Sequence, residues 1–474
     1  MISFFVSIAI LILGYFTWGA LTERFFAPDD RETPAIAIND GVDCIPISTP
    51  KAFLIQLLNI AGTGPIFGAL MGAVFGPVVF LWIVFGSILG GAVHDYYAGM
   101  ISSRNDGKSL AELSGIYIDR FVKWIMRVFT IVLLIFCGTV FITSPAALLS
   151  GLTPDALNQN FWVVVILIYY ILATILPIDK LIAKIYPFFG MILIIMAVGI
   201  IGGLFVGGYH IPEVTLQNLH PDNLPLFPFM FVTVACGAIS GFHSTQSPMM
   251  AKCIKSEREG RKVFYGAMLT ESVIALVWAA AGVAFYGATH MLSDALSEFG
   301  QSGVVYNIST SLLGPVGGIL AIVGVVICPI SSGDTAFRAA RLTLSEWAKL
   351  DQKPIKNRLF IALPMFVIAA VLTQINFDVL WRYFSWSNQT LATISLWVST
   401  AYLIKSSKHP FTSLVTALPS AFMTFVIFSY ILMAPEGFAL PAAKGYPTGI
   451  IAAAVFLVGY FVNITLYIKK NKNQ

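Results

Sequence analysis

Apolar segments of about twenty residues, the length needed to cross a bilayer, recur along the whole chain, and two of them are interrupted where a helix should continue. The first interruption is the stretch 59–68, NIAGTGPIFG, in which Gly62, Gly64 and Pro65 fall within one span. The second is 235–248, ACGAISGFHSTQSP, in the middle of the chain. Proline removes a backbone hydrogen bond and its ring clashes with the preceding turn. In hydrocarbon a freed backbone group costs several kcal/mol unless protein, ion or water satisfies it. Broken membrane spans in matching positions therefore point to a polar midplane site of the kind secondary transporters use.

Composition fits a bilayer-embedded chain: 57% of residues are apolar and only 11% charged, against about 25% charged in an ordinary soluble domain. Thirteen spans are expected, at roughly 2–21, 52–73, 78–101, 123–149, 160–177, 184–207, 226–250, 263–287, 312–337, 358–375, 380–404, 411–433 and 448–468. With the N-terminus outside and the C-terminus in the cytoplasm, every Lys and Arg except Arg382 and Lys444 falls in or beside a cytoplasmic connection. That is the positive-inside pattern. The first span lacks a basic leader and a small-residue cleavage site and is expected to remain as an anchor. The five cysteines are scattered, without disulfide or metal-ligand spacing.

Spans two to six enter from the cytoplasm and seven to eleven from outside, and each set of five opens with its broken member. The expected fold is an all-α membrane protein with a 5+5 inverted-repeat core, one helix before it and two after. The corresponding segments are 1–50, 51–208, 209–405 and 406–474. The glycines at 64, 68, 72 and 76 share one helix face; most are expected to serve close packing, whereas Gly62 to Pro65 are expected to unwind the helix.

Ionisable residues inside spans are rare and costly, so they mark candidate sites. His94 and Asp95 are either a proton relay beside the first break or a polar cluster at the inner interface. His243, among hydroxyl and amide neighbours in the second break, can bind an anion and pass a proton. Ser331, Ser332, Asp334 and Thr335 offer oxygen ligands within little more than one turn, suited to a proton or sodium ion. The alternative for Asp334 is an i,i+4 pair with Arg338. Glu271 and Arg382 are weaker candidates. The stretch 105–109 (NDGKS) looks like the end of a phosphate loop, but Ser102 stands where that motif needs glycine. Ser109 and Glu112 fit a helix capping box better. No cofactor, nucleotide or nucleic acid is expected, and no Ser-His dyad or metal cluster suggests an enzyme.

The stretches 61–65 (AGTGP), 90–95 (GGAVHD), 103–113 (SRNDGKSLAEL), 236–243 (CGAISGFH) and 331–341 (SSGDTAFRAAR) together resemble the carbon starvation protein A family of membrane transporters. The resemblance implies a leucine-transporter-type inverted repeat in the inner membrane. It also implies uptake of peptides or pyruvate during starvation, with protons the usual driving ion. Carried over, Gly62, Thr63 and Gly64 would face the substrate or ion. Ser240, Gly241, Phe242, His243 and Ser244 would form the opposite break, with Ser331, Ser332, Asp334 and Thr335 beside the first. His94 departs from the glutamine expected in longer relatives. A channel or a nutrient sensor on the same core is the alternative.

Overall fold

The computed structural model describes residues 1–40, 44–175, 179–352, 354–407 and 409–472. Parts of the expected connections 22–50 and 178–183 lie outside them. Among the described residues there is no β-strand. Nine helices among the described residues are long and apolar enough to cross a membrane, and a bent pair makes ten.

In chain order the helices are α1 (Ile2–Phe26), α2 (Thr49–Ile60), α3 (Gly64–Ala73), α4 (Val79–Ser103), α5 (Leu110–Tyr117), α6 (Arg120–Leu152), α7 (Gln159–Ile175) and α8 (Asp179–Val206). They continue with α9 (Leu226–Gly237), α10 (His243–Ala251), α11 (Glu257–Tyr286), α12 (Thr289–Ala348), α13 (Ile355–Leu372), α14 (Phe377–Ser406), α15 (Pro410–Met433) and α16 (Ala442–Lys472). Helices α2 and α3 form the bent pair, at 52°. α7 and α9 are shorter apolar helices.

Local chemistry sets several boundaries. Ser109 caps α5 by accepting the Glu112 N–H at 3.4 Å, as the capping pattern predicts. Asp119 caps α6 through the N–H groups of Phe121 and Val122. α12 departs from helical geometry at Gly300 and Gly314, where φ is 66° and 59°, angles glycine adopts without a Cβ clash. That splits a 60-residue run into three pieces.

The charged connections gather at one end of the bundle. Arg104 donates to both carboxylate oxygens of the buried Glu257 at 2.8 Å and lies 4.0 Å above the Phe26 ring. Arg258 meets Asp30, and Lys405 donates to the Tyr117 carbonyl. At the opposite end the Met1 ammonium donates to the Ile211 carbonyl and Glu213 at 2.6 Å, and the Leu219 N–H reaches the Phe75 carbonyl at 3.1 Å. Between the ends the outer helices expose apolar side chains such as Val198, Val367 and Val455, the surface a lipid-facing belt requires. The interior holds Trp278, Trp381, Tyr96 and Tyr97, all buried.

Small residues let the two broken spans touch. A Cβ on Gly68 would lie 2.5 Å from the Val234 carbonyl, and one on Gly64 would lie 2.5 Å from the Cys236 sulfur. The glycine stripe is thus a packing face. Gly68→Val should lower the melting temperature of the purified protein clearly, since overpacking costs about 1–3 kcal/mol. Gly151→Ala, with open space around it, should leave it unchanged.

Candidate functional site

The first break comes where the sequence places it. α2 ends at Ala61, whose ψ of 38° leaves the helix, and α3 begins at Gly64 with Pro65 in its first turn. Proline is tolerated there because the N–H it lacks has no helical partner. The Thr63 carbonyl accepts from the N–H groups of Ile66 and Phe67. Gln56 and Asn59, three apart on one face of α2, and Thr63 in the break itself are buried polar residues. The side-chain oxygens of all three are buried without a hydrogen-bond partner. The Gln56 amide donates to Ser247 of α10 at 3.2 Å.

The second break opens at Ala235, with φ 40° and ψ −109°, and the helix resumes at His243. A positive φ at a residue with a Cβ is uncommon and persists only where its surroundings impose it. Further along the break, Asn388 of α14 holds residues 240–242. Its side-chain oxygen accepts the Phe242 N–H at 2.7 Å and the Ser240 hydroxyl at 3.2 Å. Its backbone carbonyl accepts the Gly241 N–H at 3.0 Å. A Cβ on Gly241 would stand 2.2 Å from that carbonyl, so only glycine admits α14 at this distance. Ser244 donates back to the Gly241 carbonyl at 2.6 Å. Asn388 was not anticipated. Its signal was the polar run Ser387, Asn388, Gln389 and Thr390 inside an apolar span. Gln389 likewise donates to the Phe231 carbonyl.

Beside this break the structure joins His94, Asp95, His243 and Glu271 into one buried file. His94 Nδ1 lies 2.8 Å from Asp95 Oδ1, and His243 Nδ1 lies 2.9 Å from Asp95 Oδ2. His243 Nε2 lies 3.4 Å from Glu271 Oε2. All four side chains are fully buried. The order of groups limits where protons sit. An ionised Asp95 accepts from both rings, so each Nδ1 carries a hydrogen. Glu271 faces the remaining ring nitrogen of His243 at 3.4 Å, and neither Nε2 nor the Glu271 oxygens make a hydrogen bond among the described residues, so the contact fixes no protonation state. One proton can therefore occupy either side of the His243–Glu271 contact. The groups run in file rather than converging, and no cluster of three or more His, Cys, Asp or Glu able to hold a metal occurs among the described residues.

The other candidates separate. Ser332 donates to the Leu58 carbonyl, at the end of α2, at 3.4 Å. Ser331 and Thr335 donate within their own helix, to the carbonyls of Cys328 and Ser332. Asp334 pairs with Arg338 at 3.3 Å, the i,i+4 arrangement. Arg382 is remote from the file, 3.3 Å from Glu436.

Broken helices meeting over buried ionisable groups define a transporter-like membrane core. A solved structure of the Eremococcus coleocola manganese transporter shares the fold, with a TM-score of 0.52 at 14% identity, covering 88% of this chain and 95% of that one. The profile of carbon starvation protein CstA matches residues 1–153 and 152–284. An uncharacterized membrane protein of Haemophilus influenzae is 42% identical over 350 residues, which are 63% of this chain and 94% of that protein. The chain belongs to the carbon starvation protein CstA family. It is also similar to the peptide transporter CstA of Helicobacter pylori, at 31% identity over 52% of this chain and 46% of that protein. Similarity to the pyruvate/proton symporter BtsT of Escherichia coli is 25% over 57% of this chain and 47% of that protein. The matches therefore span under half of either named transporter.

Replacing Asn388 with Leu should destabilise the protein by about 1–3 kcal/mol for each buried group left unpaired. Asn388→Asp keeps an acceptor for the Phe242 N–H and should be milder. Thermal unfolding in detergent checks the order; equal melting temperatures for the two variants would contradict the clamp.

Proposed function

We propose that this chain is a secondary active transporter that imports a small carboxylate-bearing nutrient, a short peptide or pyruvate, together with protons. The observation that carries the reading is the file His94–Asp95–His243–Glu271. It hangs directly from the second break, with His243 as the first residue of the resumed helix. A group that binds at the break and a proton that moves along the file would thus share one residue. The family's named members, a peptide transporter and a pyruvate/proton symporter, support the same reading.

All thirteen spans cross the membrane in this proposal, and 51–208 and 209–405 are inverted repeats around the two breaks. The N-terminal end, with Glu213, faces outward, and the Arg104–Glu257 end faces the cytoplasm of the inner membrane. The substrate sits between Gly62, Thr63 and Gly64 on one side and Ser240 to Ser244 on the other. The resumed helices α3 and α10 point positive N-terminal ends at its carboxylate. The two breaks pack directly against each other, which suits a closed state of an alternating-access cycle. His94, Asp95 and His243 carry the proton, with Glu271 as its last holder. Ser331, Ser332, Asp334 and Thr335 tune ion coupling from α12, where Ser332 reaches the broken span. One proton with one monoanion moves no net charge and draws only on the pH gradient. A zwitterionic substrate with one proton also draws on voltage, about 2.3 kcal/mol per 100 mV.

The decisive measurement is uptake by purified protein in liposomes, with pyruvate and dialanine tested under separately imposed proton and sodium gradients. Wild-type protein should accumulate substrate with the proton gradient and lose accumulation when it is collapsed. His243→Ala should reduce uptake at least tenfold while remaining folded; normal uptake would remove His243 from the site. Glu271→Gln cannot release a proton, so it should retain substrate exchange but lose gradient-driven accumulation. Asp334→Asn should alter the ion dependence more than the apparent substrate affinity, read from pH and sodium profiles.

A further inference from the structure

At the end of the bundle that carries the N-terminus, a cavity of about 240 Å³ is walled by α12 and α14 together with the far end of α3 and the start of α9, beyond the two breaks. Ser293, Ser297 and Gln301 line it from α12, and Asp378, Arg382 and Ser385 from α14. The α14 set is spaced four and three apart and occupies one helix face, whereas Gln301 follows the break of α12 at Gly300. Trp381 forms part of the wall.

Two features mark this cavity as built for a ligand. The Arg382 guanidinium lies 3.3 Å from Glu436 but makes no hydrogen bond among the described residues. Glu436 is held by the Tyr430 hydroxyl, and its other carboxylate oxygen is buried without a partner. Arginine offers a planar fork suited to two parallel bonds with a carboxylate; here Nε faces Glu436 and the terminal nitrogens of the part-exposed side chain make no hydrogen bond among the described residues. One turn along α14, Ser385 is fully buried, lines the same cavity, and has a hydroxyl without a partner among the described residues. Burying a hydroxyl unpaired is unfavourable, so an incoming acceptor would be stabilised there.

The remaining charges narrow the ligand class. Asp378 lies one turn before Arg382 and accepts from Gln301 at 3.0 Å. Asp222 lines the cavity as well. A simple monoanion would meet one arginine and two carboxylates. A molecule carrying both a carboxylate and an ammonium matches both signs. The volume is just below the roughly 300 Å³ at which ordinary small-molecule pockets begin, which suits a two-residue peptide and excludes a long one.

We infer that this cavity is a second, outer ligand site, separate from the breaks, in which Arg382 and Ser385 hold the carboxylate and Asp378 the ammonium of a small zwitterion. It rests on the transporter reading only for its role as an entry point; binding itself requires no gradient.

The test is calorimetric titration of the full-length purified protein in detergent, with dialanine, N-acetyl-dialanine and pyruvate as probes. Wild-type protein should bind dialanine at least tenfold more tightly than either probe lacking the ammonium. Arg382→Gln should weaken dialanine binding at least tenfold, with Arg382→Lys intermediate because it keeps charge and loses the fork. Asp378→Asn should weaken dialanine but not pyruvate. Melting temperatures of each variant establish that it is folded. Unchanged dialanine affinity in Arg382→Gln or Arg382→Lys would overturn the site, as would pyruvate binding within threefold of dialanine. Loss of proton-driven accumulation in liposomes with binding intact would instead count against the transport reading alone.

Discussion

A polypeptide that breaks a helix inside hydrocarbon must find partners for the backbone groups it frees. In this protein the second break finds them on α14, where one asparagine accepts from Phe242 and Ser240 and its own carbonyl accepts from Gly241. Much else follows from that clamp. Gly241 has to be glycine because α14 passes so close. His243 becomes the first residue of a new helix, and its ring is delivered to Asp95. The cost of unpaired peptide groups, several kcal/mol each in an apolar medium, makes the arrangement obligatory rather than decorative.

The first break is finished differently. Its backbone turns back on Thr63, while the side-chain oxygens of Gln56, Asn59 and Thr63 remain buried and unpaired. A break clamped by α14 and one with spare hydrogen-bonding capacity face each other, with Gly64 against Cys236. Buried groups without partners stand where a ligand or water would be most strongly stabilised. The asymmetry suits a site that is closed between two packed spans and has unused hydrogen-bonding capacity on one side.

The charge distribution divides the molecule into three levels. One end is tied by a buried Arg104–Glu257 pair that also meets Tyr402 and the Phe26 carbonyl. The middle holds the four-member titratable file. The opposite end holds Arg382, paired through Nε with Glu436. Only the middle level is closed off from water on all sides, which is where electrostatic interactions are strongest.

Local chemistry was legible in the residues themselves. Proline and glycine clusters marked both breaks, Ser109 and Glu112 marked a helix start, and the scarcity of charge in spans singled out His94, Asp95, His243 and Glu271, though Glu271 ranked low. The i,i+4 pair of Asp334 with Arg338 was also readable, because that contact lies within one helix. What tertiary structure alone decided was which distant residues meet. Nothing local links position 95 to 243, 243 to 271, or 388 to 241; those contacts depend on how α4, α10, α11 and α14 pack, and packing is set by shape across the whole bundle. The sequence by itself determined that the chain is an all-helical membrane protein with two broken spans, because backbone hydrogen bonding and hydropathy act within each segment. That the breaks touch, that Asn388 holds one of them, and that four scattered ionisable groups form a single file were decided only when the segments came together.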